Sequence, residues 1–382
     1  MRTTLDITRA HAGSQRASAD ITAGIATEVQ APCAAVNVSE LDPHADPARV
    51  ARWEAFVAAC PEATFFHRAA WRTVLADAFG HRPHYLFAEA NGEIRGVLPL
   101  ARQKSLLFGD ALISTPFCVY GGVAAVDADA RTALERAAVE LGERLGVDHV
   151  EFRNPLPRRD DWVRRGLYAT FRRAIHAEAE KNLLDIPRKQ RAEVRKGIER
   201  GLVAKVGSGA ADLDACWGLY AKSVHRLGSP VYARRYFHDL ARAFGADCEC
   251  YFVLREGRAV ASLLNFYFRD EVLPYYAGSE GAGRDGEVHP FMYWSLMNHA
   301  GARGARSFDF GRSPAGSGGW AFKKNFGFEP QPLAYEYRLV RGKHAPDPDP
   351  KSPRYQLLVN TWRRLPLAVA NALGPWAARQ IG

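Results

Sequence analysis

The second half of this chain replays its first, and that repeat limits what it can fold into more than any other feature. "RAAWRTVLADAFG" answers to "RRYFHDLARAFG", and "YLFAEANGEIRGVLPL" answers to "YFVLREGRAVASLLNF", with Gly92 and Gly257 in the two turns. "VYGG" (Val119 to Gly122) answers to "YYAG" (Tyr275 to Gly278), and "ERLGVDHVEFRN" answers to "GARGARSFDFGR". Four blocks in one order, about 160 residues apart, describe one supersecondary unit used twice.

Each unit reads as helix, helix, hairpin, third strand, crossover helix and strand. "DPARVARWEAFVAAC" has helical spacing after an Asp cap, and "YLFAEANGEIRGVLPL" is two strands around an Asn-Gly turn. Antiparallel strands that lead into a crossover helix give a mixed, mostly antiparallel sheet flanked by helices, an α/β chain of the α+β type. No GxGxxG follows a strand, so a dinucleotide fold is excluded. Between the units, "IPRKQRAEVRKGIERGLVAKV" predicts a basic helix that opens at Pro187 and stops at Gly201. The boundaries drawn from these signals are a tail over 1–32, a first unit over 33–185, a second unit over 186–345 opening on the basic helix, and a C-terminal tail with an amphipathic helix over 346–382.

With 382 residues and 24% charged, the chain can build two real cores. No apolar run is long enough to span a bilayer, and the N-terminus lacks a secretory apolar region, so the cytoplasm is the expected compartment, with peripheral contact at the inner membrane open. The six cysteines have no CxxC spacing and read as buried thiols, with neither a disulfide framework nor a metal site expected. A net charge of +9 favours an anionic partner: a phosphate-bearing substrate, a nucleic acid or an anionic membrane surface.

"STPFCVYGG", "IPRKQRAEVRKG", "NFYFRDEVLPYYAG", "MYWSLMNHA", "FDFGRS" and "FKKNFGFEPQPL" together resemble the FemAB-related family of the GNAT acyltransferase superfamily. Within it they are most similar to the branch associated with exosortase and PEP-CTERM exopolysaccharide loci. The resemblance runs from about Val36 to the C-terminus. It implies tandem GNAT-like domains and acyl transfer to nitrogen, with no tightly bound cofactor. The donor it implies is aminoacyl-tRNA or an acyl-CoA. The acceptor would be an amine of a phosphorylated sugar, envelope or lipid-linked exopolysaccharide precursor. An acyl-CoA-dependent acetyltransferase and a non-catalytic binding module of the exopolysaccharide machinery are the alternatives.

Phe322, Lys323, Phe326 and Gly327 match the family's Phe-Lys-x-x-Phe-Gly element, which implies that Phe322 and Lys323 stand at the transfer site. Acyl transfer needs positive charge where the oxyanion develops, and a lysine among aromatic walls supplies it. Lys324 then faces solvent or a phosphate. Alternatively the lysines snorkel while the phenylalanines fill a core. In "SFDFGRS", Asp309 is placed to accept a proton or hold an ammonium, and Arg312 to fork onto phosphate or carboxylate; pairing with other surface charges is the alternative. Tyr275 and Tyr276 offer hydroxyls, as substrate contact and as acid, with packing in the core as the alternative. Arg188, Arg191 and Arg195 share a helix face and are positioned to grip a diphosphate, as in the family; a merely solvated face is the alternative. Gly281, Gly283 and Gly286 form a glycine-rich loop before a helix near Pro290, where backbone N–H groups would meet a coenzyme A pyrophosphate or a tRNA phosphate; a plain surface loop is the alternative. The chain departs from the family at "HRAAW": His67 and Arg68 replace Gln-Ser before Trp71, so no substrate role carries over to them. "NTWRRLPLAVANALGPWAARQIG" combines tryptophans, arginines and an apolar face, which would suit a membrane surface or a cap on the fold.

Overall fold

The computed structural model describes residues 35–42, 46–105, 109–281, 286–346 and 353–381. The first half contains β1 (Asn37–Glu40), α1 (Pro47–Ala59), α2 (Ala70–Phe79), β2 (Arg82–Ala90), β3 (Glu93–Ser105) and β4 (Gly109–Ser114). It continues with β5 (Ala124–Ala125), α3 (Ala128–Leu145), β6 (His149–Asn154), β7 (Val163–Arg165) and β8 (Tyr168–Ala174). Helices α4 (Ala179–Leu184) and α5 (Arg188–Glu199) lead into β9 (Val203–Val206), α6 (Ala210–Leu227), α7 (Arg234–Phe244), β10 (Cys248–Arg255) and β11 (Arg258–Phe268). Then come β12 (Glu271–Ser279), α8 (Val288–Ala302), β13 (Ser307–Asp309), β14 (Ser313–Pro314), α9 (Gly318–Asn325), β15 (Pro330–Pro332) and β16 (Ala334–Leu339). Two helices close the chain, α10 (Pro353–Arg364) and α11 (Leu367–Ala378).

The repeat is real in three dimensions. One sheet runs β1-β2-β3-β4-β6-β16-β7 and the other β14-β8-β13-β12-β11-β10-β9, with β5 on β3 and β15 on β8. Each is antiparallel except at one place, β4 beside β6 and β12 beside β13, where a helical crossover forces parallel pairing. This is the mixed, mostly antiparallel α/β arrangement expected from the sequence. The short edge strands β1 and β9 were not legible there: their exposed residues carry no apolar alternation.

A boundary at 185 does not separate the sheets. β8, from the first half, pairs with β13, and β16, from the second, pairs with β6. Each half thus closes the other's open edge, which removes two rows of unpaired backbone groups. A shared aromatic core seals the exchange: Phe65 stacks on Phe266 at 4.7 Å and Trp71 meets Phe244 at 5.1 Å. Rings of this size remove about 150–250 Å² each from water. At about 25 cal/mol per Å² that is roughly 4–6 kcal/mol per ring as an upper estimate.

The third block of the repeat matches in sequence and differs in structure. Ser114 lies opposite Leu100 and Ala124 opposite Val97, so nine residues, 115–123, leave the sheet between them. In the second half only 275–277 separate Pro274 from Gly278, and all three stay within β12. "VYGG" is therefore loop where "YYAG" is strand. The loop is held by His67, whose Nε2 lies 2.8 Å from the Gly122 carbonyl and whose Nδ1 accepts the Thr64 N–H at 3.0 Å.

Candidate active site

The parallel pair of the second half opens almost at once. Glu271 and Val272 pair with Ser307 and Phe308, and beyond them β12 and β13 part. A bulge on β12 turns it away: Tyr276 lies opposite Leu264 and Pro274 opposite Asn265, leaving Tyr275 as the extra residue. Tyr275 consequently meets Phe66 at 5.5 Å, on the side facing the first half, and its buried hydroxyl has no hydrogen-bond partner among the described residues. Tyr276 is spent differently, with its hydroxyl 2.7 Å from that of Tyr236 in the core.

Asp309, the last residue of β13, lies opposite Arg172 of β8 and one residue past the last that β12 pairs, and is fully buried. Its Oδ1 accepts the Gly311 N–H at 2.7 Å and the Thr170 hydroxyl at 3.0 Å, and its Oδ2 accepts the Tyr120 hydroxyl at 2.9 Å. Arg172 lies 3.6 Å away and also ion-pairs Glu271. Burial pushes the Asp309 carboxyl up, against the restraint of Arg172, the Gly311 amide and the two hydroxyls. Burial, reinforced by the Asp309 charge, pushes Glu271 up to about 7. Two carboxyl groups sharing one guanidinium are a proton-accepting arrangement. Thr170 and Arg172 come from the exchanged strand β8 and Tyr120 from the inserted loop, so the first half builds most of this surround.

Gly311 turns the chain through φ +65°, a left-handed conformation that a side chain would strain, and delivers Arg312. The Arg312 guanidinium lies 4.7 Å over the Tyr168 ring and donates to the Tyr335 hydroxyl at 2.9 Å. Among the described residues it forms no ion pair, which leaves donors for an anion.

Lys323 reaches the same strand end from α9. Its ammonium donates to the carbonyls of Phe310 at 2.8 Å, Gly311 at 2.9 Å and Arg312 at 3.3 Å, and lies 5.3 Å from the Phe171 ring centre. All three N–H bonds of the lysine are thus engaged by the backbone that carries Asp309 and Arg312. Burial lowers its pKa to about 8, opposed by the charge of Asp309. In this geometry Lys323 fixes the site; contact with an oxyanion would require it to release a carbonyl. Phe322 packs on Tyr293 at 5.5 Å and stacks on Phe326 at 5.6 Å, at the edge of the second core, while Lys324 is exposed. Gly327 is required where it stands: at φ +90° a Cβ would come within 2.9 Å of Pro187.

The basic helix divides its charges. Arg191 caps α4, donating from Nη2 to the Leu184 carbonyl at 2.8 Å and from Nε to the Ile186 carbonyl at 3.1 Å. Arg200 and Lys196 grip the buried Glu287 at 2.7 Å and 3.6 Å. Arg188 and Arg195 remain exposed, so Arg191 is withdrawn from the three-arginine grip by the free carbonyls at the end of α4. Gly281 and Gly286 precede α8, which starts two residues ahead of the Pro290 expected from the sequence; Gly283 lies outside the described residues. The Glu287 carboxylate sits immediately before this helix, and His289 ties it back to β12 through Ser279 Oγ at 3.0 Å.

Residues 188–324 match the family described as Acetyltransferase (GNAT) domain. The match runs from α5 to α9, so this part of the chain is similar to a GNAT acetyltransferase domain. No curated protein matches the chain. In fold it is similar to the crystal structure of FemX, at a TM-score of 0.60 and 16% identity over 85% of this chain and 100% of that one. It is also similar to L-PGS from Bacillus licheniformis, at a TM-score of 0.51 and 14% identity over 84% of this chain and 98% of that one. The splayed strands, the bulge at Tyr275 and the Asp309–Arg312 strand end all lie within the matched GNAT domain or at its seam with the first half. Tyr120, Thr170, Arg172 and Glu271 were not singled out from the sequence. "VYGG" carried a signal for Tyr120 alone.

Proposed function

We propose that this acyltransferase moves an aminoacyl or acyl group onto an amine of a phosphorylated sugar or envelope precursor at the open end of the β12–β13 pair. The observation that carries this reading is the pairing of Asp309 and Arg312 around Gly311, a carboxyl group surrounded by hydroxyls beside a guanidinium without a carboxylate. Arg312 holds a phosphate or carboxylate of the substrate by forked hydrogen bonds, with Arg188 and Arg195 as outer contacts. The amine attacks the donor carbonyl, a C–N bond forms, and the donor's C–O or C–S bond breaks. Asp309 takes up the proton the amine loses. An acyl-CoA donor is favoured by the GNAT match and aminoacyl-tRNA by the likeness in fold to FemX, so both belong in the assay.

Purified protein is incubated with each donor and with amine-bearing phosphosugars, and the acceptor mass is read. One donor should add its acyl mass to a phosphorylated acceptor. Arg312→Gln should raise KM for that acceptor roughly 10- to 100-fold, since a hydrogen-bonded charge contact is worth about 1.5–3 kcal/mol, and leave KM for its dephosphorylated form nearly unchanged. No mass gain with either donor, or an unchanged KM in the variant, overturns the reading.

A further inference from the structure

Helix α11 is packed inside out. It rests on the body of the protein through its small residues, Ala370, Gly374 and Ala378, which are buried, and a Cβ on Gly374 would come within 2.7 Å of Val231. Its large residues face away: Val369, Leu373 and Trp376 are 41%, 48% and 57% exposed. They recur at i, i+4 and i+7, one continuous stripe on a helix. α10 adds Leu357 and Leu358, also exposed, and Ile381 follows the last turn. A helix that only capped the fold would bury these side chains, because each fully buried one is worth about 1.5–3 kcal/mol.

The pair of helices is held firmly in this orientation. His225 Nε2 lies 2.9 Å from the Leu365 carbonyl at their junction, and Arg363 donates to the Leu227 carbonyl at 3.3 Å. Their charge has one sign: from Lys351 to Gly382 the sequence holds no Asp or Glu, while Arg364, at the end of α10, and Arg379, just after α11, are exposed. Leu367, the first residue of α11, also lines a cavity of about 380 Å³ with Lys222, Arg226 and Gly281, close to the end of β12.

We infer that α10 and α11 form a docking surface for an anionic phospholipid bilayer, with Leu373 and Trp376 entering the acyl boundary and the arginines meeting lipid phosphates. Apolar area and cationic charge on one rigid face are the two terms that drive interfacial binding. None of the helices among the described residues is long and apolar enough to cross a membrane, so the contact is with the surface.

The test is flotation of the purified full chain with phosphatidylglycerol-containing vesicles and with pure phosphatidylcholine vesicles, independent of any enzymatic assay. Binding should require the anionic lipid and weaken with salt. Leu373→Ser with Trp376→Ser should lower the partition constant at least about 10-fold, and Arg364→Gln with Arg379→Gln about 10- to 30-fold, both with unchanged thermal unfolding. Absence of flotation overturns the inference. So does a concentration-dependent dimer that the Leu373 and Trp376 changes abolish, which would assign the stripe to a second copy of the chain.

Discussion

The two halves place a buried carboxylate at the same position after the crossover helix and treat it in opposite ways. Glu151, third residue of β6, is neutralised by its own strand: Arg153 Nε lies 2.7 Å from it, and both side chains are nearly sealed from solvent. The Arg153 amide also donates to Ser114 Oγ at 2.8 Å, so the gap between β4 and β6 is bridged where it begins. Asp309, third residue of β13, has Gly311 where Glu151 has Arg153, and is surrounded by hydroxyls. The guanidinium moves one residue further along, to Arg312, where it lacks an acidic partner among the described residues. One fold thus yields a closed ion pair in one copy and, in the other, a buried carboxyl group near a separate guanidinium, which we propose as base and anion contact. Exchanging an arginine for a glycine two residues after the carboxylate is the local change that separates them.

The strongest test substitutes the two carboxylates in parallel. Asp309→Asn should lower kcat by about 10²- to 10⁴-fold, the range for loss of a general base, with the protein still folded. Glu151→Gln leaves the buried Arg153 charge without its partner and should cost about 3–5 kcal/mol of stability, while kcat per folded molecule stays near wild type. Denaturant titration beside steady-state kinetics separates the two losses. Equal effects on kcat from both would erase the distinction between the halves.

Next in size is Lys323→Met. It strips donors from three consecutive carbonyls at a partly buried strand end, at about 1–3 kcal/mol for each group left unsatisfied, although water will reach some of them. A loss of roughly 2–4 kcal/mol, read by thermal unfolding, is expected. Unchanged stability with lost turnover would return the lysine to the oxyanion role that the family element implies.

The repeat, the crossover and the strand-end residues were legible in the sequence because each leaves a local signature: a period, a Gly-Arg pair, an Asp cap. The exchange of β8 and β16 was not, because pairing with β13 and β6, strands more than 130 residues away along the chain, leaves no trace in the period of either strand. For the same reason Thr170 and Arg172 were invisible as neighbours of Asp309. The basic helix shows the limit of spacing. Arg188, Arg191 and Arg195 do share a face in sequence, yet the carbonyls at the end of α4 claim Arg191. Lys323 was singled out by its motif, but only the coordinates show where its three N–H bonds go.

A smaller effect sharpens the electrostatic side of the comparison. Glu271 has its pKa raised to about 7 from an unfolded value near 4.5, by burial first and the Asp309 charge second. Between those values the folded state holds more protons than the unfolded one, so this group's contribution to stability falls as pH rises from 4.5 through 7. Glu271→Gln should flatten the stability profile in that window. A slope unchanged in the variant would mean that Glu271 is ionised throughout.

The smallest expected change is the most specific. Tyr120 comes from the inserted loop of the first half, and its hydroxyl donates to Asp309 while lying 2.7 Å from the Thr170 hydroxyl. Tyr120→Phe removes a hydrogen bond that favours the ionised carboxylate, so the Asp309 pKa should rise further. The acid limb of the kcat profile should then move to higher pH, with a stability cost of about 1 kcal/mol. Turnover on the plateau should change little, because the carboxylate itself remains. A structural role alone would lower activity evenly at all pH values; a displaced acid limb identifies the first half's loop as the group that sets the second half's base.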